Sequence, residues 1–278
     1  MLNRNLALVA DTKKITPSQL TKVAAALQKQ ATRDFGPLWD IQANVSGFAR
    51  LQDVPTDYWP VIVRDDIKTP GAAGVHEDKN RQPFALVQFS DAWSLTASHE
   101  TLEMLADPFG NRLVAGKSPK RAQGRVNFLV EVCDPSEDQQ FAYTVNGVTV
   151  SDFYTPHFFD PVAESSVRYS YTGAVKGPRT ILRGGYLSWG VPETNEWFQM
   201  IWFDTEKPVF RSLGVLSGTG SLRATIDRLT PTPLETTKLP AKSPLMAAAR
   251  NAFDEVGDAC VSRAKFLRKQ IEEIKKAK

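Results

Sequence analysis

The chain has 278 residues, of which 42% are hydrophobic and 23% charged, a composition typical of a globular protein with a substantial core. The formal net charge is +3 and most basic residues are dispersed, which argues against a nucleic-acid partner. The sequence has no N-terminal signal pattern and no apolar run near the ~20 residues of a membrane span, so we expect a cytoplasmic protein without a membrane partner. Cys133 and Cys260 lie far apart, and we expect no disulfide framework.

The N-terminal part predicts a strand, a helix and three further strands. The apolar run 5–10 has the length of a strand. Thr16, Pro17 and Gln19 form an N-cap, a first-turn proline and a capping box, so a helix is predicted over 17–34. The later strands are predicted at 39–48, 58–66 and 83–90, with a Gly-rich loop at 68–82. Because loops flank the strand at 83–90, it could form a sheet edge that pairs with an extended peptide.

The next stretch, SLTASHETLEMLADPFGNR at 94–112, predicts a helix that ends before Pro108. Most of its positions are apolar, including Leu95, Leu102 and Leu105, so this helix should be largely buried. It contains His-Glu-x-x-Glu, which differs by one residue from the His-Glu-x-x-His with which metallopeptidases hold zinc. Buried carboxylates without a partner are costly, so these side chains must be paired or must bind a metal.

The remaining sequence predicts mainly β structure and then a helical tail. A strand is predicted at 125–135 and a hairpin at 141–153 around Asn146-Gly147. The aromatic and Gly-rich segment 154–215 predicts irregular structure with short strands or a helical turn. We therefore expect an α+β fold with a main domain at 1–227. This domain would consist of an N-terminal subdomain at 1–110 and a β-rich, irregular part at 111–227. A linker at 228–244 and a C-terminal helix at 245–278 would follow. The apolar stripe of that helix would pack on the domain or form a homo-oligomer.

The spacing of the helix motif favours a metal site. His99 and Glu103 are four residues apart and share one helix face, so both can ligate one ion. Zinc accepts imidazole nitrogen and carboxylate oxygen, and a catalytic site needs three protein ligands and one open position. The metal would lower the pKa of a bound water to about 7. Glu100 would act as the base that takes its proton.

The third ligand stays open among Asp107, Glu131, Asp134 and His157. Asp107, two turns after His99, could ligate the ion or accept a hydrogen bond from the imidazole. In the strand end EVCD, Glu131 could coordinate while Asp134 orients a ligand, or the reverse. A ligand set with several carboxylates carries more negative charge, which would raise the pKa of the bound water. Such a set also suits hard cations, so Ca²⁺ or Mn²⁺ are alternatives to Zn²⁺.

The other two histidines are weaker ligand candidates. His76, in the Gly-rich loop, is expected to support the site or to touch the substrate. His157 lies among aromatic residues and is expected to be structural.

The order of these elements, with the His-Glu motif, resembles the N-terminal subdomain of the zincin metallopeptidases. Residues 98–108, 131–134 and 150–153 resemble more closely a group of bacterial and phage-associated proteins with Ser-His-Glu-x-x-Glu-x-x-x-Asp-Pro, Glu-x-x-Asp and Val-Ser-Asp-Phe motifs. The resemblance covers roughly residues 5–205 and implies a zincin-like mixed sheet with a capping helix and an active-site helix. Glu103 stands where many zincins have a second histidine.

The sequence therefore predicts a metal-dependent hydrolase, in first place a zinc peptidase. Its substrate would be a peptide or protein that lies along the strand at 83–90, and Glu100 would activate the attacking water. Two alternatives are an inactive zincin-like protein in which metal braces the fold, and an assembly or interaction protein that uses its C-terminal helix.

Overall fold

The first sheet of the protein has four parallel strands and one antiparallel edge strand. The computed structural model describes residues 3–69, 71–216 and 221–230. The strands are β1 (Asn3–Asp11), β2 (Gln42–Phe48), β3 (Tyr58–Arg64), β4 (Gly74–Lys79) and β5 (Gln82–Gln88). Their order is β2-β1-β3-β5-β4, and β4 alone runs antiparallel to its neighbour. The outer side of β4 is therefore an edge of this sheet.

Because β4 is the edge strand, two predictions are wrong: the loop at 68–82 and the edge position of the strand at 83–90. The segment 68–82, predicted as a loop, contains β4, and the strand at 83–90 is the interior strand β5. The hairpin between them turns at Asn80 and Arg81, which both have positive φ values, 54° and 63°. The usual signal for such a turn is a glycine at the second position, and Arg81 does not provide it.

The helix predicted at 17–34 is confirmed, and its helical structure is longer than expected. Helix α1 (Pro17–Lys29) begins with the capping box of Thr16 and Gln19 and continues as a π-helical turn, Gln30–Phe35, into α2 (Gly36–Trp39). Gln30 is fully buried in this turn. Its amide donates to the carbonyl of Ser151 over 2.9 Å and accepts from the hydroxyl of Ser98 over 2.7 Å. The π turn thus fixes α1 against the helix that carries the His-Glu motif.

That motif helix, α3 (Trp93–Ala106), is buried along most of its length, as its composition predicted. Ala97, Leu102 and Met104 have no exposed surface and belong to the main core. Glu103 is equally buried although it is a carboxylate. A buried carboxylate requires a charged or polar partner. Glu103 must therefore have such a partner inside the core.

The second sheet is antiparallel throughout. It has the order β12-β11-β10-β7-β6, and its strands are β6 (Leu113–Lys117), β7 (Arg125–Leu129), β10 (Tyr186–Val191), β11 (Glu196–Ile201) and β12 (Val209–Val215). The predicted hairpin around Asn146-Gly147 is confirmed as β8 (Tyr143–Val145) and β9 (Val148–Val150). The segment predicted as irregular at 154–215 ends in three regular strands, so it is more ordered than its composition indicated.

The last described element is the short helix α4 (Leu222–Leu229). Arg228 and Leu229, with which the predicted linker begins, lie in its last turn. Thr230 follows as the C-cap of that helix. The linker from residue 231 onwards and the predicted C-terminal helix at 245–278 lie outside the described residues. The architecture is α+β, and within the described ranges no helix is both long and apolar enough to cross a membrane.

Candidate metal centre

An open cleft of about 630 Å³ lies between the two sheets' ends and exposes one end of α3. Its walls come from the start of β4, from α3, from residues 134–139 and from α4. His99 and Glu100 of α3 both line it, as does Asp134. Two of the three motif residues, His99 and Glu100, thus face an open space.

His99 is the point at which the acidic side chains converge. Its Nε2 atom lies 3.3 Å from Oε2 of Glu103 and 3.0 Å from Oδ1 of Asp134. The imidazole keeps 13% of its surface exposed, whereas both carboxylates are buried. The helical spacing brings Glu103 to His99, and a turn after β7 (Asp134–Ser136) brings Asp134 to the same nitrogen.

A backbone contact fixes Glu103. The Cys133 N–H donates to Oε1 of Glu103 over 3.1 Å, so the chain after β7 is tied to α3. The second oxygen, Oε2, is left to face His99. Burial raises the pKa of the Cys133 thiol well above its usual value, so the sulfur is protonated at neutral pH and is a poor ligand beside these carboxylates.

His76 enters the site from β4, and its ring is 1% exposed. Its Nε2 lies 3.0 Å from the carbonyl oxygen of Asp107. Since a carbonyl only accepts, Nε2 carries a proton, and in the neutral ring Nδ1 has a free lone pair. Nδ1 lies 3.6 Å from Oε2 of Glu100 and 3.9 Å from Oε2 of Glu103. The expectation that His76 supports the site agrees with this position.

Three groups of side chains within the described ranges bring their ligand atoms within 4.8 Å of one another. They are His99 with Asp134 and Glu137, His76 with Glu100 and Glu103, and His99 with Glu103 and Cys133. Ligands of a tetrahedral zinc ion lie about 3.4 Å apart, given bonds of roughly 2.0–2.2 Å. In the first two groups, the distances of 3.0 Å from His99 to Asp134, 3.6 Å from His76 to Glu100 and 3.9 Å from His76 to Glu103 are close to those between ligands of a shared cation.

Arg223 is the main site residue that the sequence did not indicate. Its side chain is 4% exposed; Nη1 contacts Oε2 of Glu103, and Nη2 lies 4.0 Å from Asp134. Nε pairs with Asp227, one helical turn later, over 3.2 Å. The Arg223 N–H donates to the carbonyl of Gly110 over 3.0 Å, so the loop after α3 fixes the start of α4. Only the tertiary fold brings this guanidinium to the site.

Neighbouring charges shift the pKa values of the ionisable residues on α3. Burial alone would raise the pKa of Glu103, but Arg223 and His99 outweigh it and lower that pKa to about 2. Burial alone would likewise lower the pKa of His99, yet the carboxylates of Glu103 and Asp134 raise it well above the usual value. The pKa of Glu100 is lowered despite burial, because His76, His99 and Arg223 favour its ionised form. Glu103 and Glu100 are therefore ionised at neutral pH.

Three other carboxyl groups have raised pKa values. Burial, together with the charge of Asp134, raises the pKa of Glu131 and of Glu137 well above the usual value. Burial raises the pKa of Asp227 to about 6, although Arg223 opposes the shift. These carboxyls hold protons that a bound cation would compete for. Glu137 and Asp227 were not predicted as site residues; Glu137 follows Asp134 by three residues in EVCDPSED, a spacing that could have indicated it.

Unpartnered polar atoms are concentrated in this site. Within the described ranges, these buried atoms lack a hydrogen-bond partner: Nδ1 of His76, Oε2 of Glu100, both carboxylate oxygens of Glu131, Oδ2 of Asp134, and Oε1 of Glu137. Folded proteins leave few such atoms. A divalent cation would satisfy several of them together, so the donor set fits a metal.

The remaining predicted residues belong to none of the three ligand groups. The Asp107 carboxylate accepts from the backbone N–H of Arg112 over 2.7 Å, and its side chain belongs to none of the three groups. Glu131 is buried next to the cluster but likewise joins none of them. His157 is an exposed residue that pairs with Asp160 over 2.8 Å, so it does not pack among the aromatic side chains as predicted.

Comparison with known proteins adds no functional assignment. No protein-family model, no curated protein and no solved structure matches this chain. A function must therefore be argued from the geometry of the cleft.

Proposed function

We propose that this protein is a metal-dependent hydrolase with a zincin-like N-terminal part, in first place a zinc peptidase. The observation that carries the proposal is the convergence of Glu103 Oε2 and Asp134 Oδ1 on Nε2 of His99, at 3.3 and 3.0 Å, in an open cleft. Two carboxylates and one imidazole are a donor set that binds zinc and leaves a coordination position free.

His99, Asp134 and Glu137, which form one group, would hold the cation. Glu103, whose Oε2 lies 3.3 Å from Nε2 of His99, would be a further carboxylate. When bound, the cation supplies Lewis acidity, which polarises a substrate carbonyl and acidifies water. Extra carboxylates weaken that effect, and Mn²⁺ becomes an alternative to Zn²⁺. Arg223 offsets part of the negative charge, because its guanidinium contacts Glu103 and lies near Asp134.

Glu100 is placed to act as the general base. It follows His99 on α3, lines the cleft and is ionised at neutral pH, since its pKa is lowered. It would take a proton from the attacking water and pass it to the leaving amine. Its burial keeps the carboxylate in one position, which favours proton transfer along a fixed path.

The substrate would lie along β4, not along the interior strand at 83–90. In the β4–β5 ladder the N–H of Gln88 donates to the carbonyl of Ala73. Because ladder bonds alternate, the backbone groups of Gly74 and His76 point away from β5. An extended peptide could pair with them through backbone hydrogen bonds, which is strand addition at a free edge. This arrangement supports a peptide or protein substrate.

The test compares Glu100→Gln with wild type for cleavage of an unfolded protein and for zinc content. We expect turnover to fall at least about 100-fold, because the general base is lost, while zinc stays bound. His99→Ala should lose turnover and the zinc ion bound at His99. Glu193→Gln, an exposed residue in the turn between β10 and β11, is the matched control. Full turnover in the Glu100 variant, or no cleavage by wild type loaded with one equivalent of zinc, would overturn the proposal.

A second candidate function is that of an inactive binding protein whose acidic centre braces the fold. The contact of Arg223 with Glu103 favours it, because a guanidinium already supplies positive charge to the ligand set. In that case a chelator lowers the melting temperature, and no peptide is cleaved under any metal. The interaction role of the C-terminal helix stays a prediction, since that helix lies outside the described residues.

A further inference from the structure

We propose that the cleft holds a second divalent cation, bound by His76 of β4 together with Glu100 and Glu103 of α3. The proposal rests on the proposed function in one respect, since the first cation is the one assigned to His99 and Asp134. It extends the site to a centre of two neighbouring cations.

The first argument is that two complete ligand groups exist side by side. His76, Glu100 and Glu103 form one group, and His99, Asp134 and Glu137 form another that shares no residue with it. Glu103 connects them, because its Oε2 lies 3.9 Å from Nδ1 of His76 and 3.3 Å from Nε2 of His99. Paired cations in hydrolytic sites lie about 3.5–4 Å apart, often with shared ligands, so Glu103 can serve both.

The second argument is the state of the His76 ring. Its Nε2–H donates to the Asp107 carbonyl, an arrangement that commonly orients a metal-binding histidine. The free Nδ1 is buried and has no hydrogen-bond partner among the described residues. It faces the carboxylate oxygen of Glu100 at 3.6 Å, which exceeds the usual 2.7–3.2 Å of a hydrogen bond. The separation is closer to that of two ligands of one ion.

The third argument is the fixed position of Glu100. A Cβ atom at Gly74 would lie 2.6 Å from Oε1 of Glu100, so the strand backbone and this carboxylate are in close contact. The other oxygen, Oε2, is buried without a hydrogen-bond partner in the described part of the chain and faces His76. The carboxylate is thus held with one oxygen directed at the same point as Nδ1.

The donor set defines the ion class. One imidazole and two carboxylates suit Zn²⁺, Co²⁺ or Mn²⁺ better than Ca²⁺, which prefers six or more oxygen ligands. Arg223 contacts the same oxygen of Glu103 that both cations would use, so cation binding displaces its guanidinium. Asp227, already paired with its Nε, can retain it. A second cation would also engage Glu100 and suppress its action as a base.

The experiment titrates the full chain, stripped with a chelator, with Co²⁺ and Mn²⁺. Visible absorption and calorimetry should give two equivalents of Co²⁺ for wild type, one for His76→Gln and one for His99→Gln. His157→Gln, which removes an exposed histidine far from the cluster, should keep two. In the wild type, two equivalents of Mn²⁺ should give the electron paramagnetic resonance spectrum of an exchange-coupled pair, a result that needs no variant.

The second site would be overturned if wild type bound only one equivalent of Co²⁺, or if His76→Gln still bound two. Spectra of isolated Mn²⁺ ions at two equivalents would also overturn it. The outcome is separable from that of the hydrolase proposal. One equivalent with peptide cleavage would retain the hydrolase and exclude the second cation. Two coupled equivalents, with no cleavage at either one or two equivalents, would do the reverse. If both proposals hold, cleavage rises with the first equivalent and falls with the second.

Discussion

The guanidinium of Arg223, on α4, lines the cleft and contacts Oε2 of the buried Glu103, on α3. Both side chains are almost fully buried, at 4% and 0% exposure. A buried charge pair of this kind contributes little net stability, but removal of one partner leaves the other charge without compensation. Arg223 therefore has two effects: it stabilises the metal-free protein, and it competes with a cation for the same carboxylate.

Arg223→Met tests both effects. The metal-free variant should be less stable than metal-free wild type by about 3–5 kcal/mol, the usual cost of breaking a buried pair. Its affinity for Zn²⁺ should rise, because the metal no longer displaces a guanidinium. Urea denaturation with chelator and zinc calorimetry measure the two quantities. Arg228→Met, on the exposed side of the same helix, is the control. Equal stability of variant and wild type in chelator would show that the contact is not a stabilising pair.

The metal-free protein should lose stability as the pH rises from 4 to 7. Asp227 has a pKa raised to about 6 by burial, whereas an unfolded Asp titrates near 3.9. A raised acid pKa favours the folded state below about pH 4, and this contribution disappears as the pH rises through about 6. Glu131 and Glu137 shift in the same direction. Urea denaturation across this range should give a shallower decline for Asp227→Asn than for wild type.

Saturating zinc provides the control for this pH dependence. Cations replace protons on the carboxylates, so stability should then rise with pH over the same interval. An Asp227→Asn protein whose decline equals that of wild type in chelator would show that this carboxyl does not drive the effect.

The local parts of the site were predictable, and the non-local parts were not. The spacing of His99 and Glu103 on one helix face is a property of helix geometry, and Asp134 was already considered because it follows a strand end. Arg223 depends on how α4 docks against the loop after α3, through bonds such as Arg223 N–H to Gly110. Nothing in the neighbouring sequence encodes that contact.

The same distinction explains the edge strand. Gly74 and His76 lie in a Gly-rich segment whose low apolar content predicted a loop, yet pairing with β5 makes it a strand. The pairing partner, not the local propensity, decided the conformation. The sequence named His76 as a residue that supports the site or touches the substrate, but the predicted loop gave no expected direction for its side chain.

Gly74 provides the last prediction, because its lack of a side chain lets β4 approach α3. A Cβ there would lie 2.6 Å from Oε1 of Glu100 and 2.7 Å from Cγ2 of Thr96. Gly74→Ala should therefore displace the Glu100 carboxylate, and a displacement near 1 Å can cost about 100-fold in turnover. Zinc at His99 should remain bound, since no ligand of that group touches the new methyl group.

The matched control is Gly47→Ala on β2, where a Cβ would make ordinary contacts of 3.4 Å with Ala24. Cleavage rate, zinc content and the second equivalent of Co²⁺ should be measured for both variants. We expect Gly74→Ala to lose cleavage and the second equivalent together, because Glu100 serves both, while Gly47→Ala keeps both. Unchanged cleavage in Gly74→Ala would mean that the Glu100 carboxylate can move without consequence, which would remove it as the general base.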